Sequence, residues 1–145
     1  MRIISPAFEN NSRLPAKYTC DGEGVNPPLS FLDVPANAKS LALIVDDPDA
    51  PMGIFTHWIL FNLDPKLKEI KENSVPQGAS LGRTSESETH FVGACPPQGT
   101  HRYIFKLYAL DTVLKLTNPY KYDLETAMQD HILEKSEIIG LFSRN

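Results

Sequence analysis

Twelve prolines and eight glycines, spread along all 145 residues, constrain the fold more than any other feature of the sequence. Proline fixes φ and removes a backbone donor, so it stops helices and stays out of central strands. A chain punctuated this often is cut into short elements, which is the profile of a mostly β domain. The length suits one domain spanning residues 1–145. One segment carries helical spacing: Leu124, Ala127, Met128, His131 and Ile132 recur along one face behind Asp123, predicting a helix over Leu124 to Ser136 with Asp123 as N-cap.

The strands are read from apolar runs and alternation. Leu41 to Val45 is an unbroken apolar run, as expected of a strand buried on both faces. Trp58 to Leu63 is a second such run, and Ile3 to Phe8 and Leu29 to Leu32 are shorter candidates. In His101 to Leu110, Tyr103, Phe105, Leu107 and Ala109 alternate onto one face. Pro65 to Asn73 is read as a helical turn, with Pro65 at its first position. Ile138 to Phe142 closes the chain as a strand or packed tail.

Two loops stand out chemically. Asp46-Asp47-Pro48-Asp49-Ala50-Pro51 follows the Leu41–Val45 run directly, with His57-Trp58 behind it. Its prolines stiffen a carboxylate-rich loop at the end of a core strand, although Asp and Pro are also ordinary turn formers. The second loop, Gly93 to Tyr103, contains Pro96 and Pro97 between Gly93 and Gly99. Its glycines permit positive φ or close approach, and its backbone N–H groups can form an anion-binding nest. His101 and Tyr103 lie two apart on a strand and so share a face. Each residue alone has a structural explanation, His101 as a hydrogen-bonded core histidine and Tyr103 as packing. His90 and His131 are assigned no role.

The formal net charge of −4 argues against nucleic acid or an anionic membrane surface as main partner. No run reaches the ~20 apolar residues of a membrane span. The N-terminal residues lack a signal-peptide core, so a cytoplasmic location is expected. In that compartment Cys20 and Cys95 are expected as free thiols, although both lie in turn-rich segments that can approach each other.

Taken together, Asp46–Pro51 (DDPDAP), His57-Trp58 (HW) and Gly93–Tyr103 (GACPPQGTHRY) resemble the phosphatidylethanolamine-binding protein family. The likeness is to its short bacterial and archaeal branch, the YbhB/YbcL-like or Raf-kinase-inhibitor-like proteins. Tyr18–Gly22 (YTCDG) and Pro27-Pro28-Leu29 (PPL) extend it, so that it covers the chain from about Phe8 to Phe142. The resemblance implies an antiparallel β sandwich with Greek-key topology and few peripheral helices. It also implies a rim pocket for phosphate, phosphate monoesters such as phosphoethanolamine, or acetate. By motif position, Asp47, Asp49, His57, Gly93, Cys95, Pro97, His101 and Tyr103 are its ligand-binding residues. The chain departs from the branch at Ala94, where proline is usual.

The residues fit that chemistry. Histidines, a tyrosine hydroxyl and loop amides can donate to oxyanion oxygens. Asp47 would repel a phosphate unless it orients and charges a histidine or receives a ligand ammonium. No cofactor and no metal are expected, and a homodimer is allowed for. A hydrolase is the first competitor, since the same side chains support acid–base chemistry. It is disfavoured by the lack of a Gly-x-Ser-x-Gly elbow. A metal site built on Asp47, Asp49, His57 and His101, and an inhibitor that docks a protein through the pocket rim, are the others.

Overall fold

The computed structural model describes residues 1–144. Nine strands and one helix follow the chain as β1 (Arg2–Ile4), β2 (Ser12–Arg13), β3 (Leu29–Leu32), β4 (Ser40–Asp47), β5 (Phe55–Leu63), β6 (Glu69–Ile70), β7 (Ser80–Leu81), β8 (His101–Leu110), α1 (Lys121–Met128) and β9 (Ile132–Phe142). They form a three-stranded sheet in the order β1-β3-β6 and a six-stranded sheet in the order β2-β9-β8-β4-β5-β7. All pairings are antiparallel except that of β2 with β9.

Burial explains why β4 reads as a continuous apolar run. Leu41, Leu43 and Val45 pack into the larger core cluster with Phe31, Trp58 and Phe105. Ala42 and Ile44 face a second cluster with Leu124 and Met128 of α1. Each face of the strand is covered, so no polar alternation is left. By the same alternation the two aspartates at its end diverge. Asp46 points to the helix side and accepts from Thr56 Oγ1 at 3.0 Å, Lys106 Nζ at 3.1 Å and Lys121 Nζ at 2.7 Å. Asp47 points to the other face.

Four expectations are corrected. The helix ends at Met128, and Ile132 to Ser136 belongs to β9, which pairs with β8 from His101↔Phe142 to Leu110↔Ile132. Asp130, in the left-handed region at φ 71°, makes the turn between them. Tyr120 is the N-cap, and Asp123 supports the helix start from its first turn by accepting the Tyr120 N–H at 3.1 Å. Within Pro65 to Asn73 the structure places β6 rather than a helix. Finally, Cys20 and Cys95 are not free thiols: they are joined by a disulfide, with Cα atoms 5.3 Å apart across a sequence separation of 75.

Candidate functional site

A cavity of about 550 Å³ opens where β4, β5 and β8 meet the segment 92–97. Asp47, His57, Gly93, Cys95, Pro97, His101 and Tyr103 all line it. Seven of the eight residues singled out from the sequence therefore converge on one hollow. Asp49 does not line it. Its carboxylate turns away to Arg102, taking the backbone N–H at 3.0 Å and the guanidinium Nε and Nη2 at 2.9 Å each. Arg102 holds the Asp49 carboxyl down at about 2, well below the usual carboxylate range. Asp49 thus anchors the loop whose next residues, Ala50 to Ile54, form the other lip of the cavity.

A β-bulge aims His57. Val45 pairs with Trp58 and Asp46 with Thr56, so β5 carries one extra residue, His57, between those pairs. With unbroken alternation His57 would follow Ile59 and Phe61 onto the α1 face. The bulge puts it on the cavity face instead, beside Tyr103, with ring centroids 5.2 Å apart at an edge-on 78°. Tyr103 also stacks near His101, at 6.5 Å. The tyrosine ring therefore lies between the two imidazoles.

Each imidazole is held through Nδ1. His101 Nδ1 lies 2.6 Å from Asp47 Oδ2, with side-chain exposures of 8% and 4%. A carboxylate only accepts, so the proton between them sits on Nδ1. The other Asp47 oxygen accepts the Asp49 backbone N–H at 2.8 Å. His57 Nδ1 lies 2.7 Å from the Val92 carbonyl, which likewise only accepts. Neither Nε2 has a protein partner among the described residues. Among the described residues, the side-chain polar atoms that are both enclosed and unpartnered are Trp58 Nε1 and Tyr103 OH. Both Nε2 atoms are therefore open to the cavity.

Electrostatics separates these groups. Burial pulls the His57 pKa down, outweighing the Val92 carbonyl and the Asp47 carboxylate, which raise it. His57 is thus kept neutral, with its lone pair on Nε2. Burial, and then the charges of Asp47 and Asp49, push the Tyr103 phenol up and keep it protonated.

The segment 92–97 is fixed from behind. Thr19 and Ala94 form a parallel bridge, Cys20 N donates to Ala94 O at 2.9 Å, and Ala94 N donates to Tyr18 O at 3.3 Å. The Cys20–Cys95 disulfide adds a covalent tie. Gly93 is required by close approach: a Cβ there would meet Gly24 Cα at 3.1 Å and Thr19 backbone carbon at 3.2 Å. Gly99 adopts the positive φ its type permits, at 74°.

Sequence reasoning missed Val92, Ser85, Glu86 and the lip residues Met52 and Ile54, all of which line the cavity. Val92 acts through a backbone carbonyl, which leaves no side-chain signal. Met52 and Ile54, 98% and 57% exposed, are legible only as apolar residues just beyond the acidic turn. No group of three or more His, Cys, Asp or Glu among the described residues is arranged to hold a metal ion. Among the described residues no helix is long and apolar enough to cross a membrane.

Comparison with known proteins agrees with this architecture. The phosphatidylethanolamine-binding protein family profile matches residues 4–143. A UPF0098 protein of Methanothermobacter thermautotrophicus is 46% identical over 150 residues, covering 99% of each chain. The crystal structure of a Chlamydia trachomatis protein described as a phosphatidylethanolamine-binding protein homologue superposes with a TM-score of 0.95 at 40% identity, over 99% of this chain and 97% of that one. E. coli YbcL, described as a member of the mammalian family, superposes at 0.91 with 26% identity, over 99% and 98%. The profile match and these identities establish that the chain belongs to the phosphatidylethanolamine-binding protein family.

Proposed function

We propose that this protein is a single ligand-binding domain whose cavity takes small oxyanions, with phosphate monoesters such as phosphoethanolamine as the ligand class. One observation carries the reading: imidazoles from two strands, β5 and β8, present unpartnered Nε2 atoms to the same hollow. His101 is the donor partner. Asp47 accepts from its Nδ1, so a ring protonated at both nitrogens would direct its second N–H into the cavity. The Asp47 oxygens are engaged by His101 and the Asp49 amide, which blunts their repulsion of an anion. The protonated Tyr103 hydroxyl lacks a partner and would be satisfied by a small movement toward a ligand oxygen. Glu86 lines the same cavity and suits a ligand ammonium.

Calorimetric titration with phosphoethanolamine tests this. Affinity should fall as pH rises from about 5.5 to about 8.5, the range in which imidazole charge is ordinarily lost. His101→Gln should weaken binding at low pH and flatten the profile. Affinity constant across that range in the unmodified protein would contradict the role given to His101.

A further inference from the structure

We propose that the cavity selects oxyanions that carry an acidic proton, such as a phosphate monoester monoanion, over sulfate-type anions that carry none. This rests on the oxyanion-binding reading above and adds which oxyanions are accepted.

The two open Nε2 atoms are not equivalent. His101 Nδ1 faces a carboxylate, so its ring can be charged and its Nε2 can donate. His57 Nδ1 faces a neutral carbonyl at 2.7 Å and must carry the proton of the neutral ring. Its Nε2 is then a lone pair, an acceptor with no protein donor. Burial of this ring favours the neutral form over the pull of the charges nearby. Asp47 on β4, Asp46 beside it and Glu86 on the facing loop all act to raise its pKa, and burial outweighs them. From β8 it meets the uncharged Tyr103 ring.

An oxyanion in this cavity therefore meets one donor and one acceptor. A phosphate monoester with one ionised oxygen and one P–OH satisfies both: the ionised oxygen accepts from His101, and the P–OH donates to His57. A sulfate monoester of the same size and charge has only acceptors. It would set an oxygen lone pair against the His57 lone pair and leave the Nε2 of a buried ring unpaired. Sites built around a ligand hydroxyl reject the analogue lacking it strongly, because the unpaired group is penalised.

Methyl phosphate and methyl sulfate isolate this difference, since neither carries an amine. At about pH 5.5, below the second phosphate ionisation near 6, both are largely monoanions of similar shape. Calorimetry on the full chain should show methyl phosphate binding at least about 10-fold tighter than methyl sulfate. In His57→Asn the shorter amide keeps a donor for the Val92 carbonyl but removes Nε2, so the two affinities should approach each other. Equal binding of both anions by the unmodified protein would overturn the selectivity and leave anion binding standing. Selectivity that persists in a folded His57→Asn protein would also overturn it. If neither anion binds, the oxyanion reading of the cavity falls with it.

Discussion

Asp47 Oδ2 and His101 Nδ1 lie 2.6 Å apart, joining the end of β4 to the start of β8. Both side chains are almost fully buried, at 4% and 8% exposure. Removing one member of a buried, charge-bearing contact costs more than the contact contributes, because its partner is left uncompensated. Asp47→Asn should therefore lower unfolding stability by about 3 kcal/mol in urea melts. It should also weaken phosphate binding by at least about 10-fold, the equivalent of roughly 1.4 kcal/mol. A variant with unchanged phosphate affinity would separate Asp47 from the site.

The disulfide carries a second expectation. Closing a loop between Cys20 and Cys95, 75 positions apart, restricts the unfolded chain substantially. Chain-entropy reasoning gives about 4 kcal/mol for such a loop. The double variant Cys20→Ser with Cys95→Ser should lose stability of that order in denaturant melts. The Cys20–Ala94 and Ala94–Tyr18 backbone bonds remain to hold the cavity wall. Phosphate affinity should accordingly fall less than in Asp47→Asn.

Gly93 is tested by the smallest available change. In Gly93→Ala the added methyl would press against backbone of residues 19 and 24, which cannot swing aside as a side chain can. Overpacking of this kind costs about 1–3 kcal/mol. Thermal unfolding should show the loss. No change in Tm would mean that the wall yields more readily than its three ties suggest.

His57 gives a signed pH dependence. Its folded pKa is depressed by burial, so the unfolded chain binds the proton more readily. The stability of the neutral ring is fully present above the ordinary histidine value of about 6.5 and is lost as pH falls toward the folded value. Stability of the unmodified protein relative to His57→Asn should therefore decline between about pH 7 and pH 5. Paired urea melts at the two ends of that range read it directly. A difference that grows on acidification would mean that His57 is charged in the folded protein.

Much of this site was legible because its residues sit on stiff, proline-marked loops. Asp47 follows an apolar strand, and His101 and Tyr103 obey simple alternation on β8. What stayed hidden depended on long-range pairing. The bulge that turns His57 toward the cavity arises from the register of β5 on β4, which no local pattern records. Asp49 shared the motif of Asp47, but the neighbouring Arg102 captured its carboxylate. The helical spacing overshoots the helix because His131 and Ile132 continue the spacing of Leu124 and Met128. Pairing along β8 overrode the modest helical preference of Glu134 and Lys135. The expected compartment points to free thiols, whereas the disulfide follows from how close the fold brings Cys20 and Cys95.

The central claim is that two imidazoles, held by different acceptors, bear on one oxyanion. Histidine side-chain ¹⁵N NMR during a titration with inorganic phosphate tests it most directly. The expected result is that the Nε2 resonances of His57 and His101 shift together along one binding curve, while His57 remains protonated at Nδ1. Phosphate that moves neither resonance, or that moves His101 while His57 stays fixed, would contradict the shared site.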